Sequence, residues 1–457
     1  MAKPLNLNNF SHFHFIGIGG IGMSGIAKIL AEKGFQVSGS DFKSVTLKNI
    51  TTYVGHDKNN IKHADIIVIS TAIHPENPEL LEAQQRNIPI FKRADILKEI
   101  IKKYKNIVSI SGAHGKTTTT ALIWSVLKQT NLDPTIINGG VVNAVNSNIY
   151  VGQTNDWCVV EADESDGSFL DLIGTYSVVT NIDREHLNHY SSLEHLKNSF
   201  IEFINKSSEL SIICIDDPLV QSLRPLIKKD VITYGILNDA MVQAYNIRKM
   251  SNKTIFDVKI KAPLESKILK DIELAALGTH NVLNALSAIA LAQHIKIDDH
   301  AIYEGLKHFQ GVQRRFTIRH TTNNEITFVD DYAHNPKKIS AVYETAKQSG
   351  AKRVIAVFEA HRYTRLKELM DEFVEALNAF NYIFIIPIYA ANEQPIDGVS
   401  VEVLSKKLTA PHAYVATQEE LNTHLPNVIE QGDIVVFMGA GNILSWSKNY
   451  LSHHHPE

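Results

Sequence analysis

Two glycine-rich turns constrain the fold of this chain more than any other feature of its sequence. Each turn follows a short apolar strand and directly precedes a helix; the first covers residues 17–22 and the second residues 111–118. Strands that alternate with helices indicate a parallel sheet with helices on both faces. The alternation continues along the chain, so we predict an α/β protein with candidate ligand residues at the carboxyl ends of its strands.

The alternation falls into three successive units, and a length of 457 residues agrees with about three domains of about 150 residues each. We predict a Rossmann-like domain over residues 1–105, a phosphate-loop domain with a parallel sheet over 106–315, and a second Rossmann-like domain over 316–457. Short β-like segments within residues 241–275 indicate a small β-rich portion of the central domain. The lysine-rich residues 98–105 are expected to end the first domain as a solvated helix and linker.

Composition excludes several other classes of protein. Hydrophobic residues make up 44% of the chain and charged residues 21%, which is ordinary for a soluble globular protein. The longest apolar stretch, residues 382–391, is about half as long as a membrane helix, and the N-terminus does not resemble a signal peptide. We therefore expect a cytoplasmic protein without a membrane partner. The net charge of −4 gives no reason to expect a nucleic-acid partner, and two cysteines cannot form a disulfide framework or a Cys-rich zinc site.

The first turn reads G-I-G-G-I-G, the spacing that brings backbone amides close to a diphosphate at a helix N-terminus. Its first glycine permits the tight turn, its second removes a Cβ that would block the phosphates, and its third lets the helix pack on the strand. Asp41 ends the next strand at the distance expected for an acid that binds ribose. A glycine turn without a ligand is the alternative, and the motif alone does not distinguish NAD from another diphosphate. The candidate substrate-binding residues are Gly17, Gly19, Gly20, Gly22, Asp41 and Ser70, the last of which ends another strand.

The second turn reads S-G-A-H-G-K-T-T and ends like a phosphate loop, although it is two residues shorter between its glycines than the general pattern. Backbone N–H groups and the Lys116 ammonium would surround the terminal phosphates of a nucleotide, and the Thr117 hydroxyl would reach Mg²⁺. A dehydrogenase that used only the first turn would leave Lys116 without a role. The candidate nucleotide-binding residues here are Gly112, Ala113, His114, Gly115, Lys116, Thr117 and Thr118.

Carboxylates and a histidine follow the next two predicted strands of the central domain. Glu161 directly follows its strand and suits a Mg²⁺ ligand or a group that orients the water of the ion. Asp163 and Asp166 fit a solvated acidic loop better. His186 follows another buried strand and therefore lies on the same edge of the sheet, whereas a surface or core role is the alternative.

Further polar groups lie downstream. Asn281 and Asn284 share one helix face and could read a purine ring, although capping of the helix is an equal alternative. Arg315 offers a guanidinium to phosphate, with a charged linker as the alternative. Residues 330–336 and 359–365 each follow a strand of the third sheet, whose strand ends would face ligands.

These segments, in this order, resemble the Mur ligase family over nearly the whole chain. This family comprises ATP-dependent, amide-forming enzymes of peptidoglycan precursor synthesis. The resemblance rests on residues 17–27, 161–166, 181–186 and 361–365. It implies an N-terminal UDP-sugar domain, a central ATPase domain and a C-terminal domain that closes over the site. The implied reaction joins L-alanine to the lactyl carboxylate of UDP-N-acetylmuramate through an acyl phosphate made from ATP, and we expect a monomer or a homodimer.

The resemblance also implies roles for individual residues. Residues 17–22 would hold the UDP diphosphate and Lys116 the ATP phosphates, while Mg²⁺ or Mn²⁺ ions would be bound by Thr117 and Glu161 and, at a second position, by His186. The implied contacts to adenine, ribose, the closing hinge and the nucleotide come from Asn281, Asn284, Arg315 and Asp331. Those to the amino acid come from Tyr332, His334, His361 and Arg362. The candidate catalytic residues are Lys116, Glu161, His186, His334 and His361, and the sequence does not decide which of the last two takes the proton of the ammonium group.

Three other functions remain open from the sequence. A Mur-type ligase that adds a peptide to the same UDP-sugar during cell-wall recycling is the nearest alternative. A nicotinamide dehydrogenase would explain the first turn but neither Lys116 nor Glu161. A non-catalytic nucleotide sensor would explain both turns but would have no need of the metal-ligand set.

Overall fold

The computed structural model describes residues 5–70, 72–184 and 189–455. Three sheets follow one another along the chain, each with helices between its strands. The predicted three-domain α/β fold class is therefore confirmed. In the part of the chain that the structure describes, no helix has the length and apolar character to cross a membrane.

The first sheet contains five parallel strands. These are β1 (His12–Ile16), β2 (Gln36–Asp41), β3 (Thr51–Val54), β4 (Ile66–Ile69) and β5 (Ile90–Lys92). Their order across the sheet is β3-β2-β1-β4-β5, which places β1 at the centre. The connecting helices are α1 (Ile21–Glu32), α2 (Pro78–Gln85) and α3 (Arg93–Ile101). Most of β1 is buried, as expected where helices cover both faces of a parallel sheet.

The second sheet contains ten strands. These are β6 (Asn106–Ser111), β7 (Thr135–Val142), β8 (Ser147–Tyr150), β9 (Trp157–Glu161), β10 (Tyr176–Val179), β11 (Leu210–Cys214), β12 (Val231–Gly235), β13 (Val242–Lys249), β14 (Thr254–Ile260) and β15 (Lys267–Leu274). Their order is β15-β14-β13-β12-β11-β10-β6-β9-β7-β8. Its helices are α4 (Lys116–Leu127), α5 (Leu193–Lys206), α6 (Pro218–Leu223), α7 (Thr279–His294) and α8 (Asp299–Lys307). Because β6 lies between β10 and β9 and is parallel to both, the polar residues that follow these three strands share one edge.

The third sheet contains six strands. These are β16 (Thr317–Thr321), β17 (Thr327–Asp331), β18 (Val354–His361), β19 (Tyr382–Tyr389), β20 (His412–Tyr414) and β21 (Ile434–Met438). Their order is β16-β17-β21-β18-β19-β20, and only the β16–β17 pair is antiparallel. Its helices are α9 (Pro336–Gln348), α10 (Tyr363–Glu368), α11 (Met370–Leu377), α12 (Val401–Lys407), α13 (Gln418–His424) and α14 (Ile443–His454).

The contacts between residues divide the chain into two compact units. Unit 1 comprises Met1–Asn246, Phe256–Ile272 and Leu283–Gln310, and unit 2 comprises Ile247–Ile255, Glu273–Val282 and Gly311–Glu457. The domain boundaries at residues 105 and 315 stay predictions.

One apolar core of unit 1 extends from the first sheet into the second. It includes Phe13 and Ile29 from the first sheet and its helices, and Val160 and Phe203 from the second. Residues 98–101 end the helix α3, as predicted, but Ile100, Ile101 and Tyr104 are buried in this core, so residues 98–105 are not solvated throughout as expected. The lysines made the sequence of this segment look polar, although one of its faces is apolar and packs against the core.

Candidate active site

The first glycine-rich turn joins β1 to α1, and neighbouring strands of the first sheet hold it. The N–H of Gly17 donates to the carbonyl oxygen of Ser40 at 2.8 Å. The carboxylate of Asp41 accepts the N–H of Gly19 at 2.9 Å. Ser70 follows β4, which pairs with β1. The structure therefore brings the predicted diphosphate-sugar residues to one edge of the first sheet.

Arg93, at the start of α3, lies against this turn and was missed by the sequence analysis. A Cβ on Gly22 would lie 2.6 Å from Nη1 of Arg93. The third glycine thus makes room for a guanidinium rather than, as predicted, for packing of the helix on the strand. This positive charge lies close to the N-terminus of α1, where backbone N–H groups also favour an anion. No local spacing could have linked two residues so far apart in sequence.

The second turn joins β6 to α4 and is held by the segment that follows β10. The N–H of His114 donates to Oδ1 of Asn181 at 2.8 Å, and Nδ2 of Asn181 donates to the carbonyl oxygen of His114 at 2.9 Å. Gly115 has a φ of +83°, and a Cβ there would lie 2.6 Å from Oδ1 of Asn284 on α7. The positive φ and the close approach both require glycine. The predicted phosphate loop and Asn284 therefore lie side by side.

Lys116, the first residue of α4, is surrounded by carboxylates. Its Nζ donates to the carbonyl oxygen of Gly112 at 2.7 Å and to Oε2 of Glu164 at 2.6 Å, and it lies 3.4 Å from Oδ1 of Asp163. Burial opposes the charge of Lys116, but Glu164, Asp163 and Glu161 outweigh burial and raise the pKa of the ammonium group. Lys116 is therefore charged at neutral pH. The sequence analysis gave no role to Glu164, because it lies in a segment that otherwise reads as a solvated acidic loop.

Thr117 and Glu161, the predicted ligands of one metal ion, are in contact. Oγ1 of Thr117 donates to Oε1 of Glu161 at 3.2 Å, and Oε2 of Glu161 accepts the N–H of Gly139 at 2.7 Å. A hydroxyl and one carboxylate suit Mg²⁺, which usually takes one or two carboxylates and keeps several waters. Three carboxylates around one ammonium also leave negative charge, which a divalent cation would offset. This donor set therefore fits Mg²⁺.

His186, the remaining predicted metal ligand, lies outside the described residues. Within the described ranges, no group of three or more His, Cys, Asp or Glu side chains could hold a metal ion. The described part of the site therefore offers an open pair of oxygen ligands rather than a closed cage.

Asn138, which precedes Gly139 on β7, is a further polar residue that the sequence analysis missed. Its side chain is 4% exposed. Neither Nδ2 nor Oδ1 has a hydrogen-bond partner among the described residues. A buried amide without a partner is costly, so a polar group of a ligand would stabilise it.

Asn281 and Asn284 differ in their local contacts, although both lie on α7. Nδ2 of Asn281 donates to the carbonyl oxygen of Leu277 at 2.7 Å. This local bond favours the alternative role of Asn281, which is to cap the start of the helix, over contact with a purine ring. Asn284 is buried and lies against the phosphate loop.

In unit 2, Asp331 fixes the segment that carries the predicted arginine. The buried carboxylate accepts the N–H of Phe316 and the N–H of Ala333, each at 2.7 Å. Burial raises the pKa of Asp331, while Arg315 and these backbone N–H groups oppose that rise. The geometry therefore gives Asp331 a role in organising residues 314–316 and the residues that follow β17.

Tyr332 lies between two arginines and two histidines of unit 2. The guanidinium carbons of Arg314 and Arg315 are 4.6 and 5.4 Å from the centre of its ring. The Tyr332 ring meets that of His334 edge-on at 5.0 Å, and the rings of His334 and His361 are 5.9 Å apart. The structure therefore brings Arg315, Tyr332, His334 and His361 into one cluster.

Arg362 follows the end of β18 and precedes α10. Its φ is +71°, an unusual value for a residue other than glycine, and its side chain is exposed. Strained backbone of this kind often occurs at binding sites. Its position beside His361 agrees with the predicted contact to the amino acid, which stays a prediction.

This fold and site define an α/β protein with a predicted phosphate loop, a hydroxyl–carboxylate pair that suits a divalent cation and, in unit 2, a cluster of histidine and arginine. Three family models match the chain in succession. The model described as Mur ligase family, catalytic domain, matches residues 12–105; the Mur ligase middle domain matches 110–292; and the Mur ligase, glutamate ligase domain, matches 314–441. The chain belongs to the Mur ligase family.

The chain is also similar to relatives named UDP-N-acetylmuramate--L-alanine ligase. It is 43% identical to that of Geotalea daltonii over 443 residues, which cover 94% of this chain and 95% of the relative. It is 42% identical to that of Agrobacterium fabrum over 449 residues, 95% of each chain. The solved UDP-N-acetylmuramate-alanine ligase of Thermotoga maritima is 27% identical, with a TM-score of 0.83 over 97% of this chain and 99% of that one.

Proposed function

We propose that the protein is an ATP-dependent ligase that joins L-alanine to the lactyl carboxylate of UDP-N-acetylmuramate in peptidoglycan precursor synthesis. The observation that carries this proposal is the charged Lys116 at the head of a phosphate loop, beside the Thr117–Glu161 pair. The choice of substrates is supported by relatives named for them that match the chain over nearly its whole length.

The reaction needs an activated carboxylate. A carboxylate does not acylate an amine at neutral pH, because oxide is a poor leaving group. Transfer of the γ-phosphoryl group of ATP to the lactyl carboxylate makes an acyl phosphate, from which phosphate leaves readily. Lys116 would offset negative charge on the oxygens of the transferring group. Mg²⁺ or Mn²⁺, held by Thr117 and Glu161, would neutralise further phosphate charge when bound.

The UDP-sugar would bind at the first turn. The N–H groups at the start of α1 and the guanidinium of Arg93 offer positive charge to the diphosphate. Ser70 and Asp41, at the ends of neighbouring strands, supply polar groups for the nucleoside or sugar. The unpartnered amide of Asn138 is a further candidate contact for a polar group of the substrate.

The amino acid would bind at the cluster in unit 2. L-Alanine carries a carboxylate and an ammonium group, so its site needs a cation and a group that receives a proton. The exposed Arg362 supplies the cation, and His334 and His361 are the candidate proton acceptors of the cluster.

The decisive test is phosphate release in the presence of ATP, Mg²⁺, UDP-N-acetylmuramate and a panel of L-alanine, glycine, L-serine and a tripeptide. We expect release to depend on the UDP-sugar and to be fastest with L-alanine. Release with the tripeptide but not with L-alanine would instead indicate the peptide-adding ligase. A reaction that requires NADH, or no release with any acceptor, would contradict a ligase. The location in the cytoplasm stays a prediction.

A further inference from the structure

His334 and His361 lie at the ends of two strands that flank β21 in the third sheet, and they face different hydrogen-bond partners. His334 follows the end of β17, and His361 is the last residue of β18. Their rings are 5.9 Å apart at an angle of 54°. The ring of His361 also stacks on that of Tyr389, with centres 5.4 Å apart. These contacts fix both rings in position, so the partners of the ring nitrogens decide what each histidine can do.

The partner of His334 is an acceptor. Its Nδ1 lies 2.7 Å from the carbonyl oxygen of Tyr332. A carbonyl oxygen can only accept a hydrogen bond, so Nδ1 of His334 must carry the proton. In the neutral ring, Nε2 therefore has a lone pair and acts as an acceptor.

The partner of His361 is a donor. Nη1 of Arg365 lies 3.2 Å from Nδ1 of His361. A guanidinium can only donate a hydrogen bond, so Nδ1 of His361 must supply the lone pair. In the neutral ring, Nε2 of His361 therefore carries the proton and acts as a donor. The two neighbouring histidines are fixed in opposite tautomers.

Both rings are neutral at neutral pH. Burial, together with the cations Lys338 and Arg365, lowers the pKa of His334 far below its ordinary value. Burial, together with Arg365 and Arg362, lowers the pKa of His361 to about 4. The neutral ring of His334 therefore has a lone pair on Nε2, but it is a weak base while its pKa is lowered. The proposed step needs the negative carboxylate of the bound amino acid to offset the cations Lys338 and Arg365 and so raise the pKa of His334.

We propose that Nε2 of His334 takes the proton from the ammonium group of the incoming amino acid, whereas Nε2–H of His361 donates to its carboxylate. This assignment rests on the proposed function and names His334 as the base. His334 accepts a proton from the ammonium group, and His361 donates a hydrogen bond to the carboxylate. Together they fix the direction in which an α-amino acid binds.

The step balances in protons and electron pairs. The ammonium group transfers one proton to Nε2 of His334, which becomes an imidazolium. The lone pair of the neutral amine then forms the new C–N bond at the carbonyl carbon of the acyl phosphate. The C–O bond to phosphate breaks, and its electron pair leaves with phosphate. The second amine proton that is lost goes to the departing phosphate, which leaves as hydrogen phosphate.

The test compares two nucleophiles in His334→Gln. L-Alanine is an ammonium ion at neutral pH and needs a base, whereas hydroxylamine is largely neutral and does not. Glutamine can occupy the position of the ring and form hydrogen bonds, but it cannot take a proton. We expect kcat with L-alanine to fall by about 10²–10⁴-fold, the usual contribution of a general base, and to rise tenfold per pH unit towards the pKa of the amine. Formation of the hydroxamate from hydroxylamine should remain at the wild-type rate.

His412→Gln is the matched control, because Nδ1 of His412 makes the same kind of bond to the carbonyl oxygen of Ala410, at 2.8 Å. We expect this variant to ligate L-alanine like the wild type. His361→Gln keeps a donor in place and should raise KM for L-alanine more than it lowers kcat.

The outcomes separate this assignment from the proposed function. If wild-type protein forms neither product, the proposed function fails. If the wild type forms both and His334→Gln keeps its rate with L-alanine, or loses the two reactions equally, His334 is not the base. A His361→Gln variant with the selective defect in L-alanine would assign the base to the other histidine.

Discussion

The two glycine-rich turns of unit 1 share a plan but differ in charge. Each follows a parallel strand and opens a helix whose first N–H groups favour an anion. At the first turn, one guanidinium, that of Arg93, and one carboxylate, that of Asp41, lie against the glycines. At the second, one ammonium faces three carboxylates. The first turn is therefore close to neutral, whereas the second carries excess negative charge.

This difference indicates how each turn would receive a phosphate-containing ligand. A nearly neutral turn with a helix N-terminus can bind a diphosphate directly. A turn with excess negative charge repels a triphosphate until a divalent cation arrives with it.

Removal of metal is expected to have the largest effect. It is also the strongest test of the difference in charge between the two turns. In the presence of EDTA, phosphate release should fall to background, because the carboxylates beside Lys116 then repel ATP. Binding of UDP-N-acetylmuramate should be unchanged, as measured by isothermal titration calorimetry. Metal-dependent binding of the UDP-sugar would show that the two turns do not differ as described.

Loss of the ammonium at the second turn comes next. We expect Lys116→Ala to lower ADP formation by about 10²–10³-fold or more, since it removes the positive charge beside the transferring phosphoryl group. Steady-state release of ADP measures this effect. The same variant should bind UDP-N-acetylmuramate like the wild type, and full turnover by it would refute the role of Lys116.

Arg93→Ala should affect the UDP-sugar and spare ATP, the opposite of Lys116→Ala, and its effect should be smaller. Loss of one charged hydrogen-bond donor should raise KM for UDP-N-acetylmuramate by about 10- to 100-fold. KM for ATP should not change, because the contact of Arg93 is with the first turn and not with the phosphate loop at residues 111–118. Substrate-saturation curves for both nucleotides measure the split, and an equal rise in both constants would argue for a general loss of structure.

The parts of the fold and site that the sequence predicted are those set by local pattern. The apolar segments before the two glycine-rich turns predicted β1 and β6, because a buried parallel strand needs an apolar segment. The phosphate loop was also predictable, since a strand, the Gly-Lys-Thr ending and a helix follow one another directly. Features of this kind can be predicted because they depend on residues that are close together in the sequence.

The remaining features depend on contacts between distant parts of the chain. Arg93 reaches Gly22 only because α3 folds back beside α1, and Glu164 pairs with Lys116 only because β9 lies beside β6. Burial of Ile100 could not be seen in a lysine-rich segment, because its apolar partners lie elsewhere in the core of unit 1. The tautomers of the two histidines likewise depend on a carbonyl oxygen and a guanidinium that no spacing rule identifies.

The two turns also differ in the side chains that hold their backbone in place. This difference leads to the smallest predicted effect, a change in the free energy of unfolding. Ser40, whose carbonyl oxygen accepts the N–H of Gly17, donates its hydroxyl to the buried Glu79 at 2.5 Å. Burial raises the pKa of Glu79, but the nearby imidazole of His14, 3.8 Å away, and hydrogen bonds from Ser40 and Asn60 outweigh burial and lower it. At the second turn, the neutral side-chain amide of Asn181 accepts the N–H of His114 and so holds the backbone in place.

A carboxyl group whose pKa is lowered by folding stabilises the fold above its unfolded pKa, here 4.5, and loses this contribution as the pH falls through the folded value. Glu79→Gln should therefore lower the free energy of unfolding at neutral pH, and its difference from the wild type should shrink below pH 4.5. Urea unfolding at a series of pH values measures both. The exposed Glu76→Gln serves as the control, and a Glu79→Gln defect that stays constant down to acid pH would mean that the charge of Glu79 does not support the first turn.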